Sequence, residues 1–262
     1  MAPDLKEAAM LAIVDSAART SSEVFILRGG LVMRDLIAPL RRPVDDVDFL
    51  ALCSDAEARE RLSLLAQRSG DFELSLGPIE RIWEETEFPG LRTQCTARGL
   101  GGALVVQIDV GFGDPRAAPE RQLKLPGAHE AIAAVALETM LAWKIHGIFE
   151  RGDGAWRAKD LIDVHDLAER CVDEATAVRC LALAFESRSD DFSICERFLC
   201  GDWGTSRGSR RKWRQFRRRR TEFDATRCFP EDLQDFVEAL RGQVGALIAA
   251  ASHLPHITRD PL

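Results

Sequence analysis

Val24-Phe25-Ile26-Leu27-Arg28-Gly29-Gly30-Leu31-Val32-Met33-Arg34 and, shortly after, Arg42-Pro43-Val44-Asp45-Asp46-Val47-Asp48-Phe49 are the stretches on which the fold turns. Val24 to Leu27 is a short apolar run that predicts a strand ending at two adjacent glycines. Leu31 to about Ala38 predicts a helix, which Pro39 and Pro43 stop. Asp46 to Leu52 predicts a second strand with Asp46 and Asp48 near its start. Residues i and i+2 of a strand point to one face, so these two carboxylates share a side. Like charges so placed repel and call for a partner or a cation. A hard divalent ion such as magnesium takes oxygen ligands of this kind and keeps positions for substrate phosphates. The two glycines would let backbone N–H groups approach phosphate oxygens closely. Each motif alone has a plainer reading: the glycines as a tight strand-to-helix turn, the acids as the solvated start of a strand. Their order along the chain favours the chemical one.

Outward from this centre, residues 4–19 predict an amphipathic helix carrying Leu5, Ala8, Ala9, Ile13 and Val14 at helical spacing. Asp55–Gln67 predicts a charged surface helix, and Phe72–Leu76 a short strand. Leu91–Arg98 and Ala103–Val110 predict a hairpin turning at Gly99 to Gly102. Asp109 lies in the apolar run Val105-Val106-Gln107-Ile108-Asp109-Val110, where an acid is costly without a partner. Three carboxylates converging from two strands would allow a two-metal arrangement for phosphoryl transfer. After Pro126 the pattern turns helical: Glu130 to about Arg151, Ala158 to Arg170, and further helices to about Ala251. The expected class is α+β. A small mixed-sheet core occupies residues 1–125, and a helical region over 126–262 completes the active cleft.

The remaining composition excludes several classes. Hydrophobic residues are 46% and charged residues 29%, as in an ordinary globular domain. With 35 basic and 42 acidic residues the net charge is −7, so the whole chain does not bind polyanions by charge alone. One segment runs against that balance: residues 207–220 contain many arginines and no acid. The seven cysteines have no zinc spacing and read as reduced thiols of a cytosolic protein. The first ten residues lack the apolar region of a secretory signal, and no apolar run reaches the roughly 18 residues of a membrane span. The five histidines lack the spacing of a metal motif, and no GxSxG, P-loop or dinucleotide fingerprint is present.

In its order of strand, Gly-Gly, helix and Asp-x-Asp strand, the opening stretch resembles the signature of the polymerase-β-like nucleotidyltransferase superfamily. The Gly-Gly form is similar to its AbiEii/AbiGii toxin branch. Leu137-Glu138-Thr139-Met140-Leu141-Ala142-Trp143-Lys144-Ile145 resembles the family's Glu-x-x-x-Ala-x-Lys helix. Arg151, followed by Ala158-Lys159-Asp160-Leu161-Ile162-Asp163, resembles its Arg/Lys-Asp-x-x-Asp helix. Trp213-x-x-Phe216 with the amphipathic helix after it is a third match, and the resemblance spans about residues 24–245. Trp143 departs from it, standing where the family commonly has an acid. Gly30 stands where the wider superfamily has serine.

The resemblance implies transfer of a nucleoside monophosphate from an NTP to an acceptor with release of pyrophosphate. The acceptor it suggests is the 3′ end of tRNA, and the setting a type IV toxin–antitoxin system with a cognate antitoxin. Asp46 and Asp48 would hold Mg2+, with Asp109 as third carboxylate and a candidate general base. Gly29, Gly30, Arg34 and Lys144 would meet the nucleotide, Lys144 at the triphosphate. Asp160 would orient Lys144 or assist catalysis, with Asp163 in support. Arg210, Arg211, Lys212, Arg214, Arg217 and Arg218 are candidate RNA contacts. Trp213 or Phe216 could stack on a base, or pack inward with the arginines outward. Two rivals fit the same residues: a nucleotidyltransferase acting on a small aminoglycoside-like hydroxyl compound, and a non-catalytic member that binds nucleotide or RNA.

Overall fold

The computed structural model of the protein describes residues 5–37, 44–84, 88–99, 101–150, 152–219 and 229–254. Ala38, Pro39, Arg42, Pro43 and Arg151 lie outside them, as do residue 220 of the basic segment and one of the seven cysteines, Cys228. The chain gathers into two compact units, one of residues 5–37, 44–114 and 119–136, the other of 115–118 and 137–254.

The first unit is a sheet with helices. Its elements run α1 (Leu5–Thr20), β1 (Phe25–Arg28), α2 (Gly29–Leu36), β2 (Asp46–Ala51), α3 (Asp55–Ser63), β3 (Arg68–Ser69), β4 (Phe72–Leu76), β5 (Glu80–Ile82), β6 (Gly90–Gly99), β7 (Gly102–Phe112), β8 (Arg121–Leu123) and β9 (Ile132–Ala134). These strands form one mixed sheet in the order β3-β4-β6-β7-β2-β1-β9-β8, with β5 also paired to β6. Alternation gives the sheet its two faces. Val47, Phe49, Leu91, Cys95, Val106, Ile108 and Val110 turn inward and are buried. Asp46, Asp48, Arg92, Gln94, Gln107 and Asp109, one residue out of phase with these, populate the opposite face. Helix α1 packs against β2, β4, β7 and β9. Its buried Asp15 carboxylate accepts the backbone N–H groups of His129 and Glu130 at 2.9–3.1 Å, pinning the approach to β9. Ser54 caps α3 by accepting from the Glu57 N–H.

Two expected boundaries differ. The helix anticipated from Glu130 does not begin there. Ile132–Ala134 is instead β9, parallel to β1 at Leu27↔Ala134 and antiparallel to β8. Alanine-rich sequence favours a helix only weakly, and the open backbone groups of a sheet edge outweigh that preference. The helix expected to reach Gln67 stops at Ser63. Leu65 is drawn into the core, and the Gln67 side chain donates to Ser16 Oγ at 3.0 Å.

The second unit is helical: α4 (Leu137–Phe149), α5 (Gly152–Ala155), α6 (Ala158–Ala168), α7 (Glu174–Ser187), a 3-10 turn (Phe192–Cys195), α8 (Glu196–Leu199), α9 (Arg207–Arg219) and α10 (Leu233–Ser252). Helix α4 packs on α6 and α7, and α10 on α6, α7 and α8. Asp173 and Asp232 cap α7 and α10 by accepting N–H groups of their first turns. The core is aromatic: Phe149 meets Phe198 edge-on at 5.3 Å, and Trp156 lies 5.4 Å from Trp203. Truncating a fully buried Trp156 or Trp213 to alanine costs about 3–5 kcal/mol on general grounds. Among the described residues no helix is long and apolar enough to cross a membrane.

Candidate functional site

Strand register brings the sheet's charged side chains together. Arg28 of β1 faces Asp48 of β2, Asp48 faces Asp109 of β7, and Asp109 faces Arg92 of β6. Residues opposed across a sheet point to the same side, so these four form one row with two acids between two guanidinium groups. Asp46, paired with Gln107, sits one rung along on the same face. Oxygens of Asp46, Asp48 and Asp109 all lie within 4.8 Å of one another. Asp109 is buried, while Asp46 and Asp48 are half-buried.

The arginines shape this cluster. Arg92 donates through Nε to Asp109 Oδ1 and through Nη2 to Asp109 Oδ2, both at 2.7 Å, and Gln107 Nε2 donates to Oδ2 at 3.1 Å. Hydrogen bonding to Asp109, reinforced by the charges of Asp46 and Asp48, raises the Arg92 pKa above its ordinary value despite some desolvation. Burial alone would lower the Arg28 guanidinium. Asp114, which accepts from Arg28 Nη1, and the charges of Asp48 and Asp109 more than reverse that, so it too is raised. Both arginines are therefore fixed cations. Three hard oxygen donors gathered this closely fit a divalent cation such as magnesium.

Glycine is demanded beside this cluster. Gly29, the first residue of α2, has φ +69°, a conformation costly for other residues. A Cβ there would stand 2.0 Å from Asp48 Oδ2 and 2.7 Å from Asp48 Cβ. The helix therefore starts with its backbone against the acid. Gly30 is tight for a different reason, since its Cβ would meet Val44 Cγ1 at 2.8 Å. Arg34 leaves this group: it pairs with Glu7 of α1 at 2.7 Å.

The helical unit holds a second polar cluster. Lys144 Nζ on α4 lies 2.9 Å from both Asp160 Oδ1 and Asp163 Oδ2 on α6. Both carboxylates are buried, and Arg157 Nε donates to the other Asp160 oxygen at 2.5 Å. Burial pushes the Asp160 carboxyl up, but Lys144 and Arg157 outweigh it and hold the group below the ordinary carboxylate range. Two of the lysine's three N–H donors are thus spoken for. His146 is occupied in packing: Nε2 is 2.7 Å from Asp190, and the ring meets Phe185 edge-on. Trp143 donates to the Pro115 carbonyl at 3.1 Å. His165 gathers with Asp166 and Glu169, but its ring also stacks on Phe236, in keeping with a packing role.

The basic segment is helix α9. Trp213 is fully buried, donates to the Pro230 carbonyl and lies 5.0 Å from Phe236, so it is not a base-stacking surface. Phe216 stacks on Trp213 at 5.7 Å. With these aromatics inward, Arg210, Arg211, Arg214 and Arg218 are exposed. Lys212 is half-buried, its ammonium 4.9 Å from the Trp156 ring, and Arg217 lies near Glu231.

Sequence reasoning missed Arg28, Arg92, Asp114 and Arg157. For Arg92 a signal existed: closing the hairpin with Gly99 against Gly102 sets Arg92 opposite Asp109. The partners of Arg28 depend on tertiary pairing and have no local mark.

A family profile described as "Nucleotidyl transferase AbiEii toxin, Type IV TA system" matches residues 12–241. No curated protein matches the chain. Among solved structures, JHP933 from Helicobacter pylori is 18% identical with a TM-score of 0.47, covering 94% of this chain and 90% of its own. An antigenic nucleotidyltransferase-like protein from Paracoccidioides brasiliensis is 17% identical with a TM-score of 0.46, covering 73% of this chain and 94% of its own. The family profile spans most of the sequence. The chain therefore belongs to the AbiEii family of nucleotidyltransferase toxins of type IV toxin–antitoxin systems.

Proposed function

We propose that this protein transfers a nucleoside monophosphate from an NTP to a hydroxyl of RNA, the 3′ end of tRNA being the acceptor that suits it best. The reading rests on the three carboxylates of Asp46, Asp48 and Asp109, whose oxygens approach within 4.8 Å on one sheet face. The acceptor oxygen attacks the α-phosphorus, the bond from the α-phosphorus to the bridging oxygen breaks, pyrophosphate leaves with that oxygen, and the hydroxyl proton passes to solvent water. Asp46, Asp48 and Asp109 would hold Mg2+, which when bound would supply charge neutralisation of the triphosphate and activation of the attacking oxygen.

The chain's own groups do the rest. Gly29 and Gly30 open α2 with backbone N–H groups suited to phosphate oxygens. Arg28 and Arg92 remain protonated beside the acids and balance part of the charge that develops. Arg92 clamps both Asp109 oxygens and fixes the orientation of that carboxylate beside Asp48. Within the helical unit, Lys144 is held in place by Asp160 and Asp163. Exposed arginines on α9 favour a polyanionic acceptor over a small aminoglycoside-like one. A cognate antitoxin is the expected protein partner, as the family's type IV description implies.

The test is incubation of purified protein with Mg2+, each α-labelled NTP in turn, and either total tRNA or an aminoglycoside panel. Labelled tRNA that disappears with Asp48→Ala is the expected result. Labelling of the small molecules alone would transfer the reading to the rival acceptor. Nucleotide or RNA binding without any transfer would mark a binding protein.

A further inference from the structure

Trp83 is an unusual residue to find at the surface. It directly follows β5, the residue is 48% exposed, and its φ of +59° lies in the left-handed region that non-glycine residues seldom occupy. A bulky residue held there is strained, and such strain concentrates where a side chain must be presented to a ligand. The indole's location is specific. Its Cε3 and Cζ3 atoms lie 2.9 Å from where a Cβ on Gly90 would stand. Gly90 is two residues before Arg92 and is paired with Gly111, two residues after Asp109. By strand alternation both glycines face the side that bears Arg92, Asp109 and Asp48. The ring thus rests over a glycine floor on the acidic face of the sheet. On the neighbouring strand, a Cβ at Gly111 would meet Arg28 Nη1 at 3.2 Å and Asp114 Oδ2 at 3.3 Å, so the floor reaches the Arg28–Asp114 pair.

Spacing relates this ring to the carboxylates. Two residues along a strand is about 7 Å and two strands across is about 10 Å, which puts the Gly90 position roughly 12 Å from Asp48. That separation suits a nucleotide whose α-phosphate lies at the acids and whose ribose leads the base away along the sheet. An exposed tryptophan offers a flat π surface to any base, whatever its hydrogen-bonding edge. We infer that Trp83 is the stacking platform for the nucleobase of the donor NTP. The inference deepens the nucleotidyl-transfer reading and rests on it. It also assigns the donor's base to an aromatic contact that is tolerant of base identity.

The experiment compares full-length wild type, Trp83→Ala and Trp83→Phe for binding of each NTP and of inorganic tripolyphosphate, which has no base, in the presence of Mg2+. Trp83→Ala should weaken the best-bound NTP about tenfold, roughly 1.4 kcal/mol, and leave tripolyphosphate unchanged. Trp83→Phe keeps a ring and should stay within about threefold of wild type. Tryptophan emission quenched by NTP in wild type should lose most of that quench in Trp83→Phe, a change that a purely structural residue would not produce. Unchanged tripolyphosphate affinity shows that the variant's site is intact. Equal loss of NTP and tripolyphosphate, or an unaltered NTP affinity, would each overturn the inference while leaving nucleotidyl transfer standing. A wild type that binds neither ligand would overturn both.

Discussion

Replacing Gly29 by alanine tests the geometry at its tightest point. Two costs arise. The first is conformational: φ is +69°, where an L residue pays about 1–2 kcal/mol. The second is collision. The new methyl would stand 2.0 Å from Asp48 Oδ2, 2.6 Å from Cγ and 2.7 Å from Cβ. Rotating the carboxylate relieves the first two contacts but not the third, so the backbone of β2 or the start of α2 must move. Overpacking of this kind costs about 1–3 kcal/mol. The total, roughly 2–5 kcal/mol, is a large share of a typical stability but leaves the protein folded in the cold. Gly70→Ala separates the two terms: φ is +56° there and nothing lies within 4 Å of the added methyl. It should lose only the conformational part. Activity should divide more sharply. Moving a carboxylate by about 1 Å can cost on the order of 10²-fold in rate, so Gly29→Ala should nearly abolish tRNA labelling at 10–15 °C, a range set only by the need to work in the cold. Gly70→Ala should label at the wild-type rate. Denaturant midpoints and labelling rates measured on the same preparations give both quantities. A folded Gly29→Ala protein with wild-type transfer would refute the placement of Asp48 in the chemistry.

Lys144→Met leaves Asp160 and Asp163 buried without their shared cation, which should cost about 3–5 kcal/mol and lower Tm by roughly 6–20 °C in a thermal melt. Adding Asp163→Asn to Lys144→Met should recover part of that loss; no recovery would show that the ion pair is not the source. The Asp160 carboxyl titrates below its ordinary 3.8, so its contribution is complete above that value and is lost as pH falls from there through the depressed pKa. Asp160→Asn should accordingly flatten the fall of Tm below about pH 4, and an unchanged acid limb would count against the pairing. Replacing Arg210, Arg211 and Arg214 together by alanine should weaken tRNA retention on filters and reduce the log–log salt slope by about two to three, with Tm unaffected because the aromatic face of α9 is untouched. An unaltered slope would exclude this helix as an RNA contact.

The sequence disclosed what local pattern controls. Strand alternation around Asp46 and Asp48, the Gly-Gly pair and the Gly99–Gly102 hairpin are all short-range, and the mixed sheet with its later helices follows from them. Hidden from it was whatever depends on distant pairing. Ile132–Ala134 reads as helix because nothing nearby announces β1 as its partner, over a hundred residues earlier. Arg28 looks like an ordinary strand end until Asp114 and Asp48 are brought to it. The acids at 160 and 163 were visible as a spacing, but the degree of their burial was not. Trp213 illustrates the ambiguity of an aromatic in a basic run: only the positions of Phe229, Phe236 and Pro230 decide that it faces inward.

The guanidinium clamp on Asp109 means that the sheet arrives with counter-ions of its own. A face stabilised in that way does not depend on a bound ion to assemble, unlike a small domain knitted together by its metal. Chelation should therefore silence the proposed transfer reversibly and leave the protein folded, with Tm falling only by the mass-action loss of a bound ligand, so that restoring the salt restores the reaction without any refolding.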